Sequence, residues 1–222
     1  MIKAVIFDMD GVIVDSEPLH YKVFMEYTKS NFGLSISDEE YNTFIGTTNL
    51  HIYSTLQQKY GIEGDLESLI EDYEEKCLDF LLSSKSEKPI QGVDVLVKNL
   101  HKNKIKLALA SSSPKKSINA ILGLFDLDQF FDVKVSGQEV EHSKPAPDIF
   151  LRAAELLRVS PQECLVFEDS RNGVMAAKTA GMQCIAYHNP NSGNQDLSQA
   201  DRIIENFAQF DLNILLSMTN KI

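Results

Sequence analysis

Asp8-Met9-Asp10-Gly11 follows the apolar run Ala4-Val5-Ile6-Phe7 directly. A run this short and partly β-branched reads as a buried parallel strand that ends in a tight turn. Carboxylates at i and i+2 beyond a strand can point to one side of the chain, and Gly11 permits backbone conformations closed to other residues. Alone, this is ordinary turn composition. Three further groups change the balance. Leu109-Ala110-Ser111 ends an apolar run in a hydroxyl, Ser143-Lys144-Pro145-Ala146-Pro147-Asp148 sets a lysine in a rigid turn before a helix, and Phe167-Glu168-Asp169-Ser170 ends another run in a second acidic pair. Ligands of open α/β sheets bind beyond the carboxyl ends of the strands, so the pattern gathers these groups at one edge. Several carboxylates held close together are costly without a cation. Oxygen donors that leave room for further oxygens favour Mg2+.

The elements that must position these groups are legible in outline. Short apolar runs at 4–7, 105–110, 133–135, 164–167 and 184–186 read as strands, with helical patterns between the later ones. Pro147 followed by Ile149, Phe150, Ala153 and Leu156 predicts a helix with proline in its first turn. A second helix is expected from about Asn172 to Ala180, stopped by Gly181. Strands alternating with helices imply βαβ units and a mostly parallel sheet. Between about Ser16 and Lys85 the rhythm changes, and only helices are expected. Ser37-Asp38-Glu39-Glu40 is a capping-box pattern opening a helix that ends near Gly46. Leu66, Leu69, Ile70, Tyr73, Cys77, Phe80 and Leu81 form one stripe at helical spacing. A block of helices inserted after the first strand reads as a separate small domain. His188 to Ala200, rich in Asn, Ser and Gly, reads as a loop.

Composition narrows the functional classes. Of 222 residues, 43% are hydrophobic and 24% charged, which suits a globular chain with a core of ordinary size. The formal net charge of −11 argues against nucleic acid as a partner, because such binding relies on basic patches. No apolar run approaches a membrane span of about 20 residues, and the N-terminus has no signal-peptide pattern. Cys77, Cys164 and Cys184 are widely spaced and set in apolar surroundings. They suit buried thiols in a reducing cytoplasm better than disulfides or a zinc site.

Asp8-Met9-Asp10-Gly11-Val12, Ser111, Lys144 and Glu168-Asp169, in that order, resemble the four motifs of the haloacid dehalogenase-like superfamily. The segments around Lys144 and Glu168 are similar to those of its β-phosphoglucomutase and sugar-phosphatase branch. The resemblance covers nearly the whole chain. It implies an α/β fold with a Rossmann-like parallel-sheet core, residues 1–14 and 87–222, and a small inserted helical cap domain, residues 15–86. It also implies a Mg2+-dependent phosphatase that acts as a monomer on a small phosphorylated metabolite, such as a sugar phosphate. Asp8 would attack phosphorus to give an aspartyl-phosphate, and Asp10 would act as general acid and then base. Asp8, the Asp10 backbone carbonyl and Asp169 would hold Mg2+. Glu168 is either a further ligand or a neighbour of the ligands. Ser111 and Lys144 would bind the phosphoryl group, the lysine supplying positive charge that an acidic chain otherwise lacks.

An acid at position 10 points to a phosphate ester, since members that cleave carbon–halogen bonds lack one there. Phosphonate hydrolases of the superfamily use a Schiff-base lysine in the cap, and neither Lys22 nor Lys76 gives a clear match. His20, in Ser16-Glu17-Pro18-Leu19-His20, is either a partner of Asp10 on closure or a surface or interdomain histidine. Gly46, Thr47, Thr48 and Asn49 are expected to select the substrate. Sugar-phosphate mutases typically carry an arginine in this segment to grip the far phosphate of a bisphosphate. Asn49 stands there instead, which weakens such a grip and favours hydrolysis over isomerisation. A signalling receiver domain also carries a phosphorylated aspartate and a lysine, but is about half this length and lacks the inserted helices.

Overall fold

In the computed structural model, residues 1–83 and 87–217 are described. The expected domain boundary at residue 86 and the expected core residues 218–222 lie outside the described residues. The chain divides into two compact units, Met1–Asp15 with Lys88–Ile222, and Ser16–Glu87.

The smaller unit is helical: α1 (Glu17–Phe32), α2 (Asp38–Asn42), α3 (Asn49–Tyr60) and α4 (Leu66–Ser83). Ser37 opens α2 as expected, its hydroxyl accepting from the Glu40 amide at 3.2 Å. That helix stops at Asn42 rather than near Gly46, and turns at Thr43 and Phe44 carry the chain onward. The stripe on α4 buries Tyr73, Cys77 and Leu81, together with Leu78. Tyr73 packs its ring against Tyr27 of α1 and Tyr53 of α3, both at 5.7 Å between centroids, so one aromatic cluster joins three helices.

The larger unit is built on a parallel sheet of β1 (Ala4–Phe7), β2 (Lys106–Ser111), β3 (Val133–Ser136), β4 (Cys164–Glu168), β5 (Gln183–Tyr187) and β6 (Arg202–Ile204). The described strands lie in the order β3-β2-β1-β4-β5-β6. Five answer to the apolar runs. The sixth, Arg-Ile-Ile, is three residues long at the sheet edge with only Ile204 buried, too short to show a period. The connecting helices are α5 (Val93–Lys102), α6 (Lys115–Leu124), α7 (Asp148–Leu157) and α8 (Arg171–Thr179). No described helix is long and apolar enough to cross a membrane.

β1 is central and every one of its residues is buried, which is why it reads as an unbroken apolar run. Phe7 and Phe167 are register partners on β1 and β4, and their rings stack at 5.0 Å and 12°. Both are fully buried, each contributing on the order of 1.5–3 kcal/mol. They immediately precede Asp8 and Glu168, so packing at the end of the apolar layer fixes where the acids emerge.

Candidate active site

Asp8 follows the last residue of β1, and its amide donates to the Phe167 carbonyl at 2.9 Å. That bond to β4 fixes the backbone where the side chain begins. Lys144 Nζ reaches Asp8 Oδ1 at 2.6 Å and Glu168 Oε1 at 2.7 Å, a three-group ion pair. The ammonium also lies 4.9 Å from the Phe150 ring centroid. Asp8, Glu168 and Asp169 are all buried, and each offers an oxygen within 4.8 Å of the others.

Two glycines make this crowding possible. Gly11 has φ +77, a conformation L side chains rarely adopt, and a Cβ there would stand 1.9 Å from Asp169 Oδ2. Gly173, in the first turn of α8, would place a Cβ 1.7 Å from Glu168 Oε1. The Glu168 carboxylate thus lies against the helix backbone. Its Oε2 accepts from the Asp169 and Ser170 amides, both at 2.8 Å, and from the Ser170 hydroxyl at 2.9 Å. With Lys144 on Oε1, both of its oxygens are engaged by the protein.

The electrostatics follow from burial. Desolvation pushes the Asp8 carboxyl up to about 7; Lys144 pulls it down, while Glu168 and Asp10 push it further up. Asp169 is raised well above the usual carboxylate range by burial first, then by Glu168 and Asp8. Burial also opposes the charge on Lys144, but Asp8 and Glu168 outweigh it and hold the ammonium above its ordinary value. Three buried acids share one buried ammonium in this cluster, a deficit of positive charge that a hard divalent cation fits.

Asp10 stands on the turn beyond Asp8. Its Oδ2 accepts from the Ser113 hydroxyl at 2.8 Å and from Ser111 Oγ at 3.4 Å. Ser111 Oγ in turn accepts from the Ser113 amide at 3.0 Å, which ties the end of β2 to the following turn. The structure thus brings Asp8, Asp10, Ser111, Lys144, Glu168 and Asp169 together at one edge of the sheet.

Residues in the helical unit have their own surroundings there. His20 Nδ1 lies 3.4 Å from both the Tyr73 hydroxyl and Cys77 Sγ. Gly46 has φ +78. The Thr47 hydroxyl donates to the Phe44 carbonyl at 2.7 Å, and Thr48 caps α3 by accepting from the His51 amide at 3.2 Å. Asn49 Nδ2 donates to Glu74 Oε1 at 2.9 Å. Lys22 Nζ lies 4.7 Å from the Phe80 ring centroid.

Several groups around the acids escaped the sequence reading. Ser113 is the last of three consecutive serines that begin with Ser111 at the end of β2, and nothing in composition separates it from the other two. Gly173 reads as a poor helix residue. Ser192 donates to Asp169 Oδ2 from the Asn/Ser/Gly loop, which carried only a loop signal. The polar character of that loop was legible; its target, more than 20 positions away, was not.

Comparison with known proteins places the chain. The family described as haloacid dehalogenase-like hydrolase matches residues 5–187. The phosphorylated carbohydrates phosphatase of Thermotoga maritima is 34% identical, over 86% of this chain and 88% of its own length. The fructose-1-phosphate phosphatase YqaB of Escherichia coli is also 34% identical, over 81% of this chain and 93% of its own. Among solved structures, CbbY from Rhodobacter sphaeroides in complex with xylulose-(1,5)bisphosphate superposes with a TM-score of 0.83 at 27% identity, covering 94% of this chain and 96% of that one. With these likenesses along its length and an acidic cluster at the carboxyl edge of its parallel sheet, the chain belongs to the haloacid dehalogenase-like hydrolases, in their β-phosphoglucomutase and sugar-phosphatase branch.

Proposed function

We propose that this protein is a Mg2+-dependent phosphatase that hydrolyses a small phosphomonoester, a sugar phosphate, through an aspartyl-phosphate on Asp8. That it is a phosphoric monoester hydrolase rests on relatives named as phosphatases. The observation that carries the finer reading is the Asp8–Lys144–Glu168 ion pair beside Asp169. Lys144 holds Asp8 by Oδ1 and fixes the direction in which the carboxylate faces an incoming phosphorus. Its ammonium and the Ser111 hydroxyl then bind phosphoryl oxygens. Asp10, held by Ser113 and Ser111, gives a proton to the leaving oxygen and later takes one from water.

Asp8, Asp169 and the Asp10 backbone carbonyl would hold the cation. Glu168, engaged at both oxygens, would position Lys144 and the turn at Ser170 instead of ligating directly. When bound, Mg2+ supplies charge neutralisation between carboxylate and phosphate. The helical unit serves as a cap that excludes bulk water from the first step and shapes substrate choice through His20 and residues 46–49. Hydrolysis is favoured over mutase chemistry because Asn49 pairs with an acid, Glu74, where a second phosphate would need a cation. The three buried free cysteines suit a reducing cytoplasm.

The test is steady-state phosphate release from a panel of sugar phosphates, in Mg2+ and in EDTA, for wild type and Asp8→Asn. β-Glucose 1-phosphate with a trace of bisphosphate primer, followed for glucose 6-phosphate, belongs in the same panel. Mg2+-dependent release that disappears in Asp8→Asn is expected. Efficient isomerisation with little release would overturn the phosphatase reading in favour of a mutase.

A further inference from the structure

The loop after β5 does more than connect β5 to β6. Asn189, only 4% exposed, donates from Nδ2 to the Gly11 carbonyl at 3.3 Å and to Asp15 Oδ1 at 3.2 Å. Its own Oδ1 accepts from the Asn191 amide at 2.9 Å, and Asn191 Nδ2 donates to Asp15 Oδ2 at 2.6 Å. The loop is therefore strapped across the turn that carries Asp10 and Gly11. Ser192, the next residue, donates its hydroxyl to Asp169 Oδ2 and is itself buried. The same oxygen faces Gly11, where even a methyl group would stand 1.9 Å away.

Asp169 Oδ2 is thus fenced by backbone on one side and held by a donated hydrogen bond on another. A carboxylate held through one oxygen presents the other in a set direction, and a donor on the far oxygen of a ligand is a common way to orient it. We propose that Ser192, held in place by the Asn189 strap, is a positioning residue for the divalent cation: it orients Asp169 so that the remaining oxygen faces the metal. The inference rests on the metal reading above, with Asp169 as ligand. It has a structural alternative, in which Ser192 only satisfies a buried loop. The two differ in what they move: orientation changes metal affinity, whereas loop satisfaction changes stability alone.

The experiment counts free Mn2+ by electron paramagnetic resonance in titrations of the intact protein, with Mg2+ affinity obtained by competition. Wild type, Ser192→Ala, Ser192→Thr and Asp169→Asn are compared, and each melting temperature is recorded in EDTA. Ser192→Ala is expected to weaken Mn2+ binding by about 10–100-fold, with Ser192→Thr recovering part of the loss through its hydroxyl. Asn189→Ala, which leaves Ser192 in place but cuts the strap, is expected to weaken binding in the same direction and serves if Ser192→Ala does not fold. Ser192→Ala binding Mn2+ as wild type does, while Asp169→Asn has lost it, would overturn the role of Ser192 and leave the metal reading standing. Equal binding by wild type and Asp169→Asn would overturn both.

Discussion

Replacing Gly173 by alanine should destabilise the protein, against the ordinary preference of helices for alanine. Gly173 lies in α8, where the substitution would normally gain about 0.5–1 kcal/mol. The added Cβ, however, would stand 1.7 Å from Glu168 Oε1 and 1.8 Å from Cδ, so the carboxylate must leave its site. It would give up Lys144, two amides and the Ser170 hydroxyl, with its side chain only 1% exposed. Breaking a buried pair by removing one partner costs about 3–5 kcal/mol. Helix propensity offsets a fraction, leaving a net loss of roughly 2–4 kcal/mol. At about 2–4 °C per kcal/mol for a chain of this size, the melting temperature should fall by roughly 4–16 °C. Gly123→Ala is the matched control: Gly123 is an exposed glycine in α6 with nothing within 4 Å of its built Cβ. It should raise stability by about 0.4–1 kcal/mol. Scanning calorimetry of both variants gives the comparison. A Gly173→Ala protein as stable as the Gly123→Ala protein would refute the account of how Glu168 is held.

Other expectations concern charge. Lys144→Met should cut phosphate release by about 10²-fold or more, since the donor proposed for the phosphoryl oxygens is gone; steady-state kinetics read this directly. In EDTA, the raised Asp8 carboxyl means the folded state holds a proton that the unfolded chain releases near pH 3.8. Wild type should therefore lose stability relative to Asp8→Asn as pH rises from 3.8 to about 7, and saturating Mg2+ should reduce that loss. Paired denaturant titrations across this range test the sign; no difference in slope between the two proteins would contradict it. Burial pushes the Cys164 thiol up to about 12. Cys164 should resist alkylation near pH 8 in the native state and react readily in denaturant, as peptide mapping would show.

The sheet was legible because its buried strands read as unbroken apolar runs, each stopping where a polar group begins. Topology then does the rest: Asp8, Ser111 and Glu168 end or follow parallel strands, so their convergence follows from the direction of the chain. Contacts made by loops are another matter. Ser113, Asn189 and Ser192 belong to segments whose composition says only that the backbone turns, and their partners lie 23 to 178 positions away. Gly173 shows the limit from the other side. Its local propensity argues against the helix it occupies, and only the position of Glu168 explains why alanine does not stand there. β6 was missed because three residues hold too little periodicity to separate a strand from a loop.

In the proposed mechanism Asp8 carries the phosphoryl group. Quenching the enzyme during turnover of a sugar phosphate and reducing with borohydride converts an acyl-phosphate into an alcohol. Mass mapping of the peptide that contains Asp8 should then find homoserine at that position, only when both substrate and Mg2+ were present. Continued phosphate release with Asp8 unmodified, or with the reduced residue elsewhere in the chain, would contradict the account.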